Sequence, residues 1–410
     1  MTPSGTPLTG PQISGDRGSG STSIGLPCLL LMVAMFNLTL VVAGLKEFII
    51  DDLGGTVSDA TWFFSVETLA HIVFAPIWGI LSDRLGRRKP FIAVGFLGSA
   101  LLYFVFAQVQ SVEVLLPLRF LQGAFSVMGW SLLMAMVLDR ATDELRGRYS
   151  GLMGASLILG VSLGAPIGGL ISRDLGARAP LTVAAILFLV IAALSLLLSE
   201  PGQHRRQITI SRIMGTVRSQ PRLLLPMAFH FVDRFTVGFF VVVFPLYLDS
   251  LGAADPAVRG RYLALYLLPF ALLQVITGRM SERVGPMPLL VFGSFAYGVV
   301  LSTVGFSDLM TLWPVMIALG VLAAVMFPPA MTLVSRFSDP MSRGTAMGGF
   351  NVAGSLGFAI GPLVGGWAYA VRGYGFAFVL SGMLEILAAV AAAILVIRWR
   401  ARQRYNASRS

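Results

Sequence analysis

The chain has 410 residues, of which 56% are hydrophobic and only 12% are charged, and its mean hydropathy is +0.80. This composition excludes a soluble globular domain and is typical of a protein that crosses a membrane several times. The formal net charge is +10, but the cations stand in short segments between apolar runs. They therefore indicate membrane topology and contact with anionic lipids, and no nucleic acid is expected as a partner.

The first 23 residues are rich in Gly, Ser, Thr and Pro, so we expect a disordered tail at 1–23. This segment lacks the basic start and short apolar core of a cleavable signal peptide, so the first apolar run is expected to stay in the mature protein. That run contains Cys28, the only cysteine of the chain. A single cysteine excludes an intrachain disulfide and a cysteine-based metal cluster, and no cofactor is expected.

Twelve apolar runs follow, and each reaches or approaches the 20 or so residues that a membrane-spanning helix needs. They lie at 26–46, 60–82, 90–108, 112–139, 147–171, 179–199, 222–248, 259–281, 287–306, 309–335, 344–370 and 374–398. The predicted fold is an all-α integral membrane protein with twelve transmembrane helices. The predicted domains are a six-helix bundle at 24–199, a linker at 200–221, a second six-helix bundle at 222–399 and a basic tail at 400–410.

The loop charges are unevenly distributed between the two sides of the membrane. One side collects most of the arginines, including those of the linker and the C-terminal tail, whereas the other side carries mixed charges. By the positive-inside rule the arginine-rich side is cytoplasmic. We therefore expect a multi-pass protein of the cell (inner or plasma) membrane with both termini in the cytoplasm, and a linker with a short amphipathic helix on the membrane surface.

The two groups of helices repeat each other in sequence. The dipeptide at 146–147, Arg-Gly, recurs at 343–344, and a glycine ladder at 160–169 recurs at 357–366, each with a shift of 197 residues. Glycines spaced four apart let helix backbones pack closely. Parallel repeats of six helices predict two pseudo-symmetric bundles with a binding site near the midplane between them.

A charge-dense turn joins the second and third predicted helices, with the sequence GILSDRLGRRKP at 79–90. Its first glycine would let another backbone approach the helix end, and its second would permit a tight turn. The turn resembles the loop between helices 2 and 3 of the major facilitator superfamily of transporters. The matching residues are Gly79, Asp83, Arg84, Gly86, Arg87 and Arg88.

This resemblance implies the twelve-helix fold of the superfamily and transport by alternating access. It also implies that the loop forms ion pairs with the cytoplasmic end of helix 4, where Asp139 and Arg140 stand, and that Asp83, Arg87 and Asp139 form a cytoplasmic gate. The alternative is a loop that only supports folding.

Helix 4 carries Arg119 in a run that resembles the helix 4 motif of antiporters in the superfamily, where an arginine is tied to proton coupling. It lies about 30 Å from the cytoplasmic end of its helix, at 1.5 Å per residue. It could reach the outer interface or be buried against an anion. Glu67 on helix 2 matches it best in depth, and His71 shares a helix face with Glu67.

The seventh predicted helix carries His230, Asp233 and Arg234 about 12 to 18 Å from its cytoplasmic start. Ionisable groups at this depth indicate function, and the resemblance places helices 1, 4, 7 and 10 around the central cavity. The predicted substrate cavity therefore also includes Asn37 and Phe327. The alternative is a structural ion pair, for which Glu385 is a candidate partner.

These observations predict a monomeric secondary transporter that binds a small apolar or amphipathic molecule and exports it in exchange for protons. Asp233, Glu67, His71 and Arg119 are the candidate proton-coupling residues, with Asp233 favoured. Two alternatives stay open: a symporter or facilitator for a polar solute such as a sugar or organic acid, and a lipid transporter or receptor on the same fold. An enzyme is not expected, because no metal site, phosphate loop or nucleophile with its base has the required spacing.

Overall fold

The computed structural model describes residues 24–140, 143–200, 210–339 and 342–407, and these ranges are almost entirely helical. The helices are α1 (Gly25–Leu40), α2 (Val57–Leu85), α3 (Lys89–Phe106), α4 (Val112–Arg140), α5 (Asp143–Leu175), α6 (Ala179–Ser195), α7 (Ile210–Ser219), α8 (Leu224–Ser250), α9 (Pro256–Val284), α10 (Pro286–Val304), α11 (Leu309–Phe337) and α12 (Arg343–Ala407).

The described helices supply twelve segments that can cross a membrane. Nine continuous helical stretches are long and apolar enough to do so, α9 adds a span that is bent by 53°, and α6 is a shorter apolar helix of 17 residues. The stretch in α12 provides two of the twelve spans, because the helix is broken at Arg372 and Gly373. Gly373 has a φ of +76° there. The predicted all-α fold with twelve spans is therefore confirmed.

The structure differs from the predicted boundaries at two places. The first predicted helix ends at Leu40 and continues as a 3₁₀ turn at Val42–Gly44 and a π-helical turn at Lys46–Asp52. The last helix runs to Ala407, so the predicted tail at 400–410 is helical in most of its length; its arginines and glutamine are good helix formers. The predicted tail at 1–23 lies outside the described residues.

The linker contains the short helix that the sequence predicted, α7. Its apolar residues Ile210, Ile213, Met214 and Val217 follow the spacing of one helix face. Ile213 meets α12 at Gly349, whereas Met214 is exposed. The helix is thus docked on the bundle by part of its apolar face.

The two glycine ladders bring helix backbones into contact, as predicted. In the N-terminal half the ladder of α5 faces the main chain of α1, and in the C-terminal half the first segment of α12 faces α8 in the same way. A Cβ atom at these glycines would overlap a backbone carbonyl of the facing helix: Gly160 with Met32, Gly164 with Phe36, Gly168 with Leu40, Gly357 with Phe231 and Gly361 with Phe235. The repeat therefore extends to a shared packing contact.

The α1–α5 contact yields a prediction about stability. Gly168→Ala should lower the free energy of unfolding by about 1–3 kcal/mol, because its methyl group would displace the Leu40 carbonyl. Gly154→Ala is the matched control in the same helix, since its Cβ would have open space and alanine is the better helix former. The midpoint of thermal unfolding in detergent should fall only for Gly168→Ala. Equal midpoints would show that this contact does not depend on glycine.

Candidate transport site and gates

The N-terminal half holds a buried cation at Arg119, whose side chain is completely inaccessible to solvent. Its guanidinium lies 4.2 Å from the ring centroid of Phe63. It donates hydrogen bonds to Glu67 Oε2 at 2.5 Å, Tyr103 Oη at 2.8 Å, Gln122 Oε1 at 2.9 Å and the Phe63 carbonyl at 3.3 Å. Arg119 therefore does not reach the outer interface, and the buried alternative is the observed one.

Glu67 lies between Arg119 and a second ionisable side chain, His71. It is buried on α2, and its other oxygen lies 3.9 Å from His71 Nε2, one turn further along the helix. The His71 ring packs edge-on against Trp130 of α4. The structure thus brings Glu67, His71 and Arg119 together. Sequence reasoning missed Tyr103 and Gln122; the position of Gln122 three residues after Arg119 was a usable signal, whereas nothing pointed to Tyr103.

The C-terminal half holds its own cluster on α8, which is the seventh predicted span. Asp233 is buried and accepts a hydrogen bond of 2.9 Å from the guanidinium of its neighbour Arg234. His230 Nδ1 lies 3.7 Å from the same carboxylate oxygen. The candidate pair of Arg234 with Glu385 is not observed; Glu385 instead lies 3.2 Å from the hydroxyl of Thr236.

Aromatic rings from three other helices surround the α8 cluster. The His230 ring stacks on Phe350 of α12 with centroids 3.8 Å apart. The Arg234 guanidinium lies 4.9 Å from the Phe327 centroid and 5.7 Å from that of Phe270. The Arg234 side chain is 20% exposed, whereas Asp233 and His230 are buried. Arg234 is therefore the member of the cluster that can meet a molecule entering from outside.

The structure separates Asn37 from this cluster. Asn37 is completely buried, and its side-chain amide donates a 3.4 Å hydrogen bond to the Ala184 carbonyl of α6. It packs between α1 and α6 and does not join the rings around Arg234. The sequence placed Asn37 on a helix expected to line the cavity, but the direction of its side chain depends on tertiary packing.

The loop at 79–90 forms the tight turn that its glycine predicts, since Gly86 ends α2 with a φ of +65°. Asp83 pairs with Arg88 at 3.0 Å, whereas Arg87, which the prediction grouped with Asp83 and Asp139, is exposed like Arg84. The expected close backbone approach at Gly79 is wrong, because a Cβ there would have nothing within 4 Å. The side chains of Asp139 and Arg140 lie outside the described part of the chain.

Glu200 ties the start of the linker to this loop. Its carboxylate accepts hydrogen bonds from the backbone N–H of Arg88 at 3.2 Å and of Lys89 at 2.7 Å. These donors stand at the beginning of α3, where a helix has unsatisfied N–H groups and favours a negative charge. Glu200 therefore acts as a helix cap supplied from a distant part of the sequence.

We call the end of the bundle that carries the 79–90 loop the loop side, and the opposite end the far side. The two halves pack tightly on the far side. A Cβ at Gly169 of α5 would overlap the Pro256 carbonyl of α9, and one at Gly366 of α12 would lie 2.6 Å from the Thr61 hydroxyl of α2. These close contacts hold the two halves together and close the far side where they occur.

An ion-pair network reinforces this closure. Arg259 of α9 is completely buried and contacts Glu47 of the N-terminal half and Asp249 of the C-terminal half, the latter at 2.9 Å. A second contact also joins the halves: the ammonium group of Lys46, in the N-terminal half, lies 3.8 Å from the carboxylate of Asp249 in the C-terminal half. A hydrogen bond to Asp51 raises the pKa of Lys46 and keeps it charged. Sequence reasoning had counted these residues only as loop charges, because nothing in their spacing links one half to the other.

The sequence matches the profile of the Major Facilitator Superfamily over residues 28–260 and 227–409, which together cover most of the chain. The protein belongs to the Major Facilitator Superfamily. It is accordingly a multi-pass membrane transporter for small molecules and not an enzyme.

Several curated members of the superfamily are similar to this chain. It is 25% identical over 315 residues to the class E tetracycline resistance protein of Escherichia coli, covering 74% of this chain and 76% of that protein. It is 25% identical to the multi-drug resistance efflux pump PmrA of Streptococcus pneumoniae (76% and 79%). It is 24% identical to the human synaptic vesicular amine transporter, covering 79% of this chain but only 64% of the length of that protein.

Solved structures of the superfamily share the fold. The nucleoside transporter NupG aligns with a TM-score of 0.75 at 14% identity, over 91% of this chain and 99% of that one. The human organic anion transporter MFSD10 aligns with a TM-score of 0.66 at 22% identity, over 90% and 98%. At these identities the likeness shows the architecture and carries no information about the substrate.

The far-side network generates a prediction about conformation. Glu47→Gln should weaken the contact between the halves, because Arg259 would lose a charged partner from the opposite half. Spin labels at exposed Ser58 and Ala254, one on each half, should then show a larger population at long distance. Asp52→Asn is the matched control, since Asp52 pairs with Arg178 within the N-terminal half. An unchanged distance distribution in Glu47→Gln would contradict a gating role.

Proposed function

We propose that the protein exports small apolar or amphipathic molecules in exchange for protons, acting as a monomer in the cell membrane. The observation that carries this proposal is the α8 cluster, in which a buried carboxylate, a partly exposed arginine and a histidine stand beside aromatic rings. Asp233 is about 14 Å from the start of α8, roughly a third of the way along this helix. A site at this depth fits a carrier that is loaded from both sides in turn.

The chemistry of the cluster favours an amphipathic substrate. The half-buried Phe327 offers ring surface that buries an apolar or aromatic body, and the buried Phe270 packs against Arg234. Arg234 offers a planar cation that stacks on such a body or donates hydrogen bonds to a polar group. Neutral hydrogen-bonding side chains, which a sugar would require in number, are not the main feature of the described neighbourhood.

The direction of transport is inferred from the relatives. One is named for tetracycline resistance, one as a multi-drug efflux pump and one as a vesicular amine transporter. Each of these names fits removal of a small organic molecule from the cytoplasm. Transfer of this property to the present chain rests on identities of 24–25%.

We infer that the loop side is cytoplasmic, because it carries most of the loop arginines. On this orientation the far side faces outward, and its closure corresponds to an inward-facing state. Asp83 and its neighbours would then act as the cytoplasmic gate, which closes when the far-side network opens. The 24–199 and 222–399 bundles would move as the two rocking units.

Proton coupling requires a group that binds a proton on one side and releases it on the other. A buried carboxyl whose arginine partner changes between states has this property, because the cation favours the charged form and burial disfavours it. The pairs Asp233–Arg234 and Glu67–Arg119 are the two candidates. Asp233 is favoured because Arg234 is partly exposed, so substrate or helix motion can reach that pair.

Asp233→Asn should therefore abolish concentrative transport driven by a proton gradient and leave exchange between equal compartments intact. The assay is uptake of radiolabelled tetracycline into proteoliposomes, with and without a pH gradient. Asp174→Asn is the matched control, because Asp174 is an exposed carboxylate at the end of α5. If Asp233→Asn accumulated tetracycline as well as the wild type does, Glu67 would become the candidate for the proton-binding carboxyl. If Glu67→Gln also left accumulation intact, neither of these two pairs would carry the transported proton.

Asp83→Asn should reduce the rate of transport while the amount of protein in the membrane stays near normal. The substitution removes a charged partner of Arg88 and loosens the loop. The same tetracycline assay, normalised to protein, measures the effect. Transport at the full rate would show that the loop supports folding only.

A further inference from the structure

We propose that Glu385, which no part of the sequence argument assigned to transport, holds the exchangeable proton in this conformation beside an ionised Asp233. This inference rests on the proton exchange proposed above and names the atom that carries the proton. It depends on the position of Glu385, on the charges around it and on the hydrogen bonds of its two oxygens.

Glu385 lies in the second segment of α12 and is completely buried. It is packed between α8 and α10. At Gly298 of α10 an added Cβ would lie 2.9 Å from Glu385 Cβ and 2.5 Å from the Gly382 carbonyl. The helices are so close here that water does not solvate the carboxyl group, and its ionised form needs a partner from the protein.

The charged and titratable groups near Glu385 do not supply a cation to it. On α8, Arg234 directs its ion pair to Asp233, and His230 lies 3.7 Å from the same carboxylate. On α9 and α10, the buried hydroxyls of Tyr266 and Tyr297 lie 3.2 Å from each other and within electrostatic range of Glu385. Since Asp233 is an anion in the same range, ionisation of Glu385 would place two negative charges in one dry site.

The hydrogen bonds point to the same conclusion. The Thr236 hydroxyl lies 2.9 Å from the Asp233 backbone carbonyl and 3.2 Å from Glu385 Oε1. A hydroxyl has one proton, and a carbonyl oxygen cannot donate. If Thr236 donates to the nearer carbonyl, the proton in its contact with Glu385 must come from the glutamic acid, which donates to the threonine oxygen.

The second carboxyl oxygen supports this arrangement. Glu385 Oε2 is buried and makes no hydrogen bond of normal geometry in the described part of the protein, although the Ser294 hydroxyl of α10 lies close to the carboxyl group. An ionised carboxylate carries charge on both oxygens and would leave one of them unsolvated. A neutral acid that donates through one oxygen leaves only a weak carbonyl acceptor unpaired.

The consequence is a pair of carboxyls that share one proton. While Arg234 holds Asp233 in its charged form, the proton stays on Glu385. When substrate or helix motion removes Arg234 from Asp233, or hydrates the site, the two carboxyls titrate as a unit. Release then breaks the Glu385 O–H bond, transfers the proton to water and leaves a carboxylate, without any other reactant.

Infrared spectroscopy of substrate-free protein tests where the proton lies. Protein labelled with ¹³C in the glutamate side-chain carboxyl should show an isotope-shifted C=O stretch of a neutral carboxylic acid. Glu385→Gln should remove this band, whereas the exposed control Glu113→Gln should keep it. Thr236→Val should shift its frequency, because the acceptor of the O–H group is lost; this variant identifies the band if Glu385→Gln does not fold. A band that persists in Glu385→Gln, or does not respond to Thr236→Val, overturns the assignment.

Transport separates this inference from the function on which it rests. Glu385→Gln in proteoliposomes should lose gradient-driven accumulation of tetracycline and keep exchange between equal compartments. If the wild type accumulates tetracycline and Glu385→Gln does so equally, the transported proton is elsewhere and only this inference fails. If the wild type does not respond to a proton gradient, the proposed exchange itself is wrong, and Glu385 has no transported proton to hold.

Discussion

The structure depends on a single constraint, which is that a charge buried inside a membrane bundle must find its partner within the protein. Arg119 and Arg259 are both completely buried, and each is surrounded by a carboxylate and oxygen acceptors from other helices. Such a pair is costly to break, because removal of one partner leaves an unsatisfied charge in a medium that does not solvate it. The helices that supply the partners are thereby fixed relative to one another.

The three buried clusters act at different levels of the architecture. The cluster around Arg119 joins α2, α3 and α4 within one half, and the α8 cluster gathers rings from α9, α11 and α12 within the other. The Arg259 network joins the halves. Networks inside a half make it a rigid unit, whereas a network between halves forms and breaks when those units rock. This division of roles is the physical basis of the proposed alternating access.

Close packing of small residues supplies the rest of that rigidity. The ladder of α5 lies on α1, and the equivalent ladder of α12 lies on α8, so each half contains a pair of helices at backbone contact distance. Two of the helices involved, α1 and α8, were expected to line the cavity. Motion of a cavity wall is thus transmitted to the helix packed on it, and in the C-terminal half that wall carries Asp233 and Arg234. The buried carboxyl of Glu385, on α12, contacts the same helix through the hydroxyl of Thr236.

The sequence by itself determined the twelve spans, the six-plus-six repeat and the tight turn at Gly86, because hydrophobic length, glycine spacing and turn chemistry are local properties. It also found Glu67 as the partner of Arg119, since depth along a helix follows from residue count. Only the tertiary structure decided which way each side chain points and what it meets across the bundle. In the structure Asn37 bonds to α6, Asp83 pairs with Arg88, and Glu47 contacts Arg259, which is 212 residues away in sequence. These choices depend on helix rotation and on contacts between distant segments, which no local pattern encodes.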